Sequence, residues 1–267
     1  MLSYVLAVCY ALFLWWFSTG LILYLDSRPT RTYRWSILGA TLLLLLCLGA
    51  IVLLRDRGGA VAAYLGFTAG VFVWGWLEIT YFMGYITGPR KAPCPEQCGN
   101  LRRFWLALQT SLYHELSIVA VGLLLIVLTW DRFNQVGTWT FVILWWMRWS
   151  AKLNLFFGVP NLNEEWLPQH LRFLTSYLAK RPMNLMFPIS VSSATVIMSL
   201  LVATALDVSP GGYASVALML TATMLALAIL EHWFLVLPVA DAALWNWALD
   251  ARDRLREERM TRPDGKR

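Results

Sequence analysis

The chain has 267 residues, 58% of them hydrophobic and 14% charged, with a formal net charge of +6 and a mean hydropathy of +0.57. Soluble domains are about 45–50% apolar and about 25% charged, so this composition excludes a fold surrounded by water and specifies an integral membrane protein. The length suits one helical bundle, and the basic balance reports membrane topology rather than nucleic-acid binding.

A spanning helix needs about 20 mostly apolar residues. The first such stretch, 3–25, opens on "MLSYVLAVCYALFLWWF", which lacks the basic n-region of a secretory signal and reads as a retained span. The second is 36–54. Cys9 and Cys47, in these two runs, read as small core residues. The third, 60–83, carries Glu78 and a Gly66/Gly70 spacing that would seat another helix closely. The loop "GPRKAPCPEQCGN" follows, with Cys94 and Cys98; two thiols do not close a zinc site, and a proline-stiffened loop is the plainer reading. The fourth span, 105–130, contains "SLYHELS" and so places His114 beside Glu115 in an apolar run. The fifth, 136–157, holds Arg148 and Lys152. A connection over 158–185 leads to the sixth span, 186–206. The seventh, 213–237, holds Glu231 and His232. Residues 250–267 form a charged tail of mixed sign. The expected fold is therefore all-α: a polytopic membrane bundle of about seven transmembrane helices over 1–249, followed by that tail. Continuous rather than alternating apolar runs exclude a membrane barrel.

With seven spans, the connections that share a side with the C-terminus carry seventeen Lys and Arg residues, against three (Arg55, Arg57 and Arg132) on the other side. The positive-inside rule then puts the N-terminus outside and the C-terminus in the cytoplasm of a bacterial inner membrane. Trp15, Trp16, Trp105, Trp130, Trp139 and Trp245 fall near span ends and fit an interfacial aromatic belt. Trp74, Trp76, Trp145, Trp146 and Trp149 have no such obvious place.

Glu78, His114, Glu115, Arg148, Lys152, Glu231 and His232 all fall in the cytoplasmic half of their spans. A charge at the centre of a spanning helix costs about 2.5–3.5 kcal/mol, so these groups should face the bundle interior and pair. Arg148 and Lys152 share one helix face, and no acid on their own span neutralises them. Glu78, Glu115 or Glu231 must do so, or a bound anion. Three readings fit. The groups form a structural ion-pair network. Or Glu78, Glu115 and Glu231 with His114 and His232 hold a metal, as in a carboxylate-bridged di-iron enzyme acting on a pigment or tetrapyrrole precursor, although no Glu-x-x-His motif occurs in any span. Or a histidine ligates the magnesium of a chlorophyll-type pigment while the cations grip an acidic group of the macrocycle. A transporter using the acids as a proton path is a further class, disfavoured by the few Gly and Pro breaks within the spans.

Five segments, "WWFSTGLILYLD" (15–26), "EITYFMGYITGPR" (78–90), "LYHELSI" (112–118), "WTFVILWWMRWSAKLNLFFGVPNLNEEWLPQHL" (139–171) and "NLMFPIS" (184–190), resemble the PuhE family of photosynthetic complex assembly proteins of phototrophic bacteria. The resemblance implies a role in building the reaction-centre and light-harvesting apparatus, beside reaction-centre or antenna subunits and linked to bacteriochlorophyll supply. It carries Asn154, Glu165 and His170 as further motif positions: Asn154 and His170 join the candidate pigment-binding residues, and Glu165 and His170 the candidate metal ligands. It transfers no catalytic residue.

Overall fold

A computed structural model describes residues 1–162, 167–239 and 241–248. The tail and Glu165 lie outside these. Among the described residues the long helices are, in chain order, α1 (Leu2–Ser27), α2 (Thr30–Leu54), α3 (Ala60–Phe82), α4 (Asn100–Thr110), α5 (Leu112–Thr129), α6 (Val136–Phe157), α7 (Met186–Asp207) and α8 (Tyr213–Phe234). Two short 3₁₀ segments, Gln169–Tyr177 and Asp241–Trp245, stand outside the bundle proper. Among the described residues there is no strand, only a parallel bridge between Val159 and Lys180. Six helices, all but α4 and α6, are long and apolar enough to cross a membrane. Helix α6 matches them at 22 residues; its four tryptophans, Arg148 and Lys152 lower its hydropathy.

Helices α3 and α8 form the centre. Helix α3 packs against α1, α2, α5, α6 and α8, and α8 packs against α1, α3, α6 and α7. Helices α2 and α7 lie outside and bury only short stripes, Cys47 and Ile51 on one and Phe187, Ser190, Ala194 and Ala205 on the other. Their remaining surface is leucine-, valine- and isoleucine-rich, as a face against lipid requires. Cys9, expected in the core, faces outward.

The helix that Gly66 and Gly70 seat is α6. A Cβ on Gly70 would lie 2.5 Å from the Gly137 carbonyl oxygen, and one on Gly137 would lie 2.7 Å from that of Gly66. The backbones touch here, so only glycine fits. Next to this seam Asn134 ties three loops. Its amide N–H donates to the Arg55 carbonyl (2.7 Å), its Nδ2 donates to the Ala62 carbonyl (3.1 Å), and its Oδ1 accepts from the Tyr213 hydroxyl (3.1 Å). This end of the bundle is therefore closed by backbone contact and a buried amide.

The opposite end is built differently. The expected single span over 105–130 is broken at Ser111 into α4 and α5. The loop after α3 inserts at the break: the Thr87 carbonyl accepts from the His114 amide (3.0 Å), and the Arg90 amide donates to the Gln109 carbonyl (3.4 Å). Both helix ends thus find partners for backbone groups that a break would strand. Gly88 is required, because a Cβ there would sit 2.1 Å from the Gln109 oxygen. Helix α4 is amphipathic. It exposes Leu101 and Trp105 and turns Arg103 onto the end of α6, where Nη2 donates to the Phe156 carbonyl (3.1 Å).

The 3₁₀ segment Gln169–Tyr177 caps this end. Tyr177, 2% exposed, accepts from Arg90 Nε (2.6 Å) and donates to the Ala92 carbonyl (2.8 Å). His170 sets its ring against Gly84, just beyond the end of α3. The second 3₁₀ segment returns to α1: Trp16 Nε1 donates to the Leu244 carbonyl (2.8 Å) and Trp245 Nε1 to the Trp16 carbonyl (2.9 Å). A side chain at Gly20 would collide with Trp245 and Trp247. Trp15 and Trp245, expected in an aromatic belt, are instead buried against each other, while Trp105, Trp130 and Trp139 are exposed. Basic residues divide between the ends: among the described residues Arg55, Arg57 and Arg132 lie at the Asn134 end, and ten others, on the loops, the first 3₁₀ segment, α4 and the first turns of α2, at the capped end.

Two outcomes follow. Gly70→Ala should lower the thermal midpoint of the purified protein, because overpacking costs about 1–3 kcal/mol, whereas Gly49→Ala on α2, with nothing within 4 Å of the added methyl, should leave it unchanged. Burial holds His170 below the ordinary histidine value of 6.5. The folded cap then binds fewer protons than the unfolded segment, so its stability is complete above about pH 6.5 and is lost as pH falls toward the lowered folded value. Once the intrinsic pH dependence of amide exchange is divided out, protection over 169–177 should fall on acidification, and His170→Gln should flatten that dependence.

Candidate functional site

Three helices converge near the capped end, each bringing charge. Helix α6 presents Arg148 and Lys152 one turn apart on the same face. Helix α3 supplies Glu78 in its last turn, and the first turn of α5, begun by the break at Ser111, supplies His114 and Glu115. Arg148 Nη2 pairs with Glu78 Oε2 at 3.4 Å. Lys152 Nζ pairs directly with Glu115 Oε1, which the Ser111 hydroxyl also approaches at 3.4 Å. The acids that neutralise α6 therefore come from two other helices. Tyr81 lies between the pairs, its ring 4.5 Å from that of His114 and 5.6 Å from Lys152 Nζ.

His114 is completely buried, and its Nε2 stands 4.0 Å from Glu78 Oε1, too far for a direct hydrogen bond. Among the described residues, both its ring nitrogens, Glu78 Oε1, Glu115 Oε2 and Arg148 Nε have no hydrogen-bond partner. Each unsatisfied buried group costs about 1–3 kcal/mol. The cluster is neutralised in charge but incomplete in hydrogen bonding, and a polar group placed between these atoms would satisfy several at once.

Beside the cluster lies a cavity of about 450 Å³. Six helices, α1, α3, α4, α5, α6 and α8, and both 3₁₀ segments wall it. Its apolar wall mixes aromatic side chains, among them Trp15, Trp74, Phe82, Phe104, Trp149 and Tyr177, with a larger number of aliphatic ones. Its polar wall consists of Glu78, Glu115, Arg148, Lys152 and Glu231. Trp15 Nε1 donates to Glu231 Oε1 at 2.8 Å, which ties α1 to α8 across one side. A space of this size, walled by aliphatic and aromatic side chains with a few convergent polar groups, has the character of a small-molecule site.

The remaining candidates divide. His232 is buried but spent within the bundle: Nδ1 donates to the Ala228 carbonyl (2.8 Å), which leaves Nε2 to accept from the Ser150 hydroxyl (2.9 Å). Asn154 is fully buried and joins α6 to α7, its Nδ2 donating to the Ser150 carbonyl (3.0 Å) and to Ser190 Oγ (3.2 Å). His170 sits on the cap against Gly84 rather than in the cavity. His114 stands behind Tyr81 and does not line the cavity either. Among the described residues no three of His, Cys, Asp and Glu come close enough to share a metal ion. Of the groups expected to hold a metal, Glu78 and Glu115 pair with cations, Glu231 accepts from Trp15, His114, His170 and His232 do not line the cavity, and Glu165 lies outside the described residues.

Sequence reasoning missed the aromatic part of the wall. A signal for it existed: Trp74, Glu78 and Tyr81 recur at helical spacing, as do Arg148 and Lys152, so on α3 the aromatic and charged residues share one face. Phe104 and Tyr177 carried no such signal, because their positions depend on the break at Ser111 and on the 3₁₀ cap.

Comparison with known proteins adds a family and a relative. A protein of Rhodobacter capsulatus, described as "Uncharacterized 30.4 kDa protein in puhA 5'region", is 36% identical over 242 residues, covering 89% of this chain and 88% of its own. No solved structure matches the chain. A family model described as protein of unknown function DUF3623 matches residues 1–256, and this chain belongs to that family.

Proposed function

We propose that this protein is an integral membrane factor for assembly of the photosynthetic reaction-centre and light-harvesting complex, and that it serves bacteriochlorophyll supply by holding a bacteriochlorophyll-type tetrapyrrole, or a precursor of one, in the cavity. The observation that carries this reading is the cavity of about 450 Å³ whose apolar lining includes Trp15, Trp74, Phe104, Trp149 and Tyr177 among aliphatic residues and whose charged lining brings together three carboxylates and two cations. A flat, largely apolar molecule with a polar edge is complementary to such a site: the rings of Trp74 and Trp149 offer faces for stacking, and Arg148 and Lys152 offer donors to carbonyl or carboxylate groups. The relative's place in the puhA 5' region supports this reading, as does the resemblance to the PuhE family. The excess of Lys and Arg at the capped end supports an inner-membrane protein with that end in the cytoplasm. In this reading aromatic contact and the cations hold the pigment, with no imidazole as axial ligand, since His114 stands behind Tyr81 and His232 uses both ring nitrogens inside the bundle.

Protein purified from pigmented cells should carry a stoichiometric near-infrared absorption band. Arg148→Met should lower pigment retention by about tenfold or more, the loss expected for a hydrogen bond to a charged group. Wild-type protein that purifies colourless from such cells, and stays colourless when offered the pigment in detergent, overturns the reading.

The ion pairs allow an independent check of the site. Glu115→Met leaves Lys152 uncompensated in the bundle and should reduce accumulation sharply, since breaking a buried pair costs about 3–5 kcal/mol. The double substitution Glu115→Met with Lys152→Met removes both charges and should restore accumulation without restoring pigment. Accumulation of the single variant at the wild-type level would remove the case that these charges depend on each other.

A further inference from the structure

The polar wall of the cavity already balances the charge of its cations. Arg148 Nη2 pairs with Glu78 Oε2 at 3.4 Å, and Lys152 Nζ pairs with Glu115 Oε1. In each pair the cation is the more open partner: its side chain is 31% exposed in Arg148 and 26% in Lys152, against 11% for Glu78 and 8% for Glu115. A guest in the cavity therefore meets mainly N–H groups, whose charge the deeper acids have neutralised. Arginine carries five N–H donors and lysine three, more than one carboxylate uses, so donors are left over. Glu115 is held in place twice: it stands in the first turn of α5, whose dipole attracts negative charge, and the Ser111 hydroxyl approaches its Oε1 at 3.4 Å. Glu231, whose Oε1 accepts from Trp15 Nε1 (2.8 Å), adds a third carboxylate to the wall. Among the described residues no other Lys, Arg or His lines the cavity.

We infer that the cavity selects a guest whose polar edge is neutral, with ketone or ester oxygens that accept from Arg148 and Lys152, and rejects a guest that ends in a free carboxylate. A carbonyl oxygen takes a spare N–H and disturbs neither ion pair. An added carboxylate has no cation left to meet. It would need Glu78 or Glu115 to surrender a partner, and a buried charge left without its partner is costly. Two cations beside an apolar space thus do not make an anion site here, because both are already answered from within the fold. Among tetrapyrroles the favoured guest is one whose acid side chains are esterified. This inference deepens the reading given above: it rests on the cavity's being a guest site, but not on that guest's being a pigment.

The test uses the full-length wild-type protein in detergent, at about pH 9, where free carboxylates are ionised. Two probe pairs are titrated against quenching of tryptophan emission: pyropheophorbide methyl ester with pyropheophorbide, and methyl palmitate with palmitate. In each pair that binds, the ester should bind about tenfold tighter than the acid or better, the least that an unpartnered buried charge predicts. Glu115→Gln frees Lys152 to meet a guest carboxylate, so the ester-to-acid ratio should fall about tenfold or more in that variant. Partition into micelles cancels from this comparison of wild type with variant. If Glu115→Gln does not accumulate, the wild-type ratios decide. An acid that binds the wild type as tightly as its ester overturns the inference and leaves the pigment reading standing. A ratio unchanged in Glu115→Gln overturns the ion pair as its source. If neither chlorin binds, the pigment reading falls and the palmitate pair decides the inference: preference for the ester upholds it, and equal binding, or none by either, overturns it.

Discussion

Two cations on one face of α6 constrain everything around them. Arg148 and Lys152 stand in a helix that crosses apolar surroundings and has no acid of its own to offset them. Their partners, Glu78 and Glu115, come from α3 and α5. Neutralisation is thus a contact between helices distant in sequence, and it dictates which three helices meet and at what depth. Ionic contacts of this kind specify arrangement more than they add net stability, because the desolvation of each partner offsets much of the attraction.

The same constraint accounts for the asymmetry of the bundle. At the Asn134 end α3 and α6 touch backbone to backbone at Gly66, Gly70 and Gly137. Toward the other end the facing residues are large and charged, and the helices cannot approach in that way. Charge pairs and aromatic rings hold them apart, and the space between them becomes the cavity. Small residues at one end and bulky ones at the other convert a uniform bundle into one with a single roomy half.

Much of this was legible in the sequence, and the reasons are particular. Six of the seven long apolar runs gave a single helix, α2 starting earlier than expected at Thr30, because hydrocarbon leaves the backbone no alternative to helix; the run over 105–130 gave two. Depth along each run brought Glu78, His114, Glu115, Arg148 and Lys152 to one layer, since rise per residue is fixed. Rotation was less accessible. His232 follows Glu231 by about 100° around α8 and so turns from the cavity toward Ser150, a direction that hydropathy does not report. The break at Ser111 was invisible because no Pro or Gly marks it; Gly88, more than twenty residues earlier, makes it possible by letting a loop insert. The burial of Trp15 and Trp245 depends on a contact across the whole chain, which no local pattern encodes.

That last contact has a consequence for biogenesis. Trp245 donates to the carbonyl of Trp16, 229 residues earlier, and Leu244 accepts from the Trp16 indole. Helix α1 is made before every other described helix, yet one face of it waits for a partner 229 residues further along. Contacts so far apart in sequence form late. The wall that α1 and the returning segment share is therefore completed only after α2 to α8 have been made, and any guest that needs it must be taken up after those helices are in place.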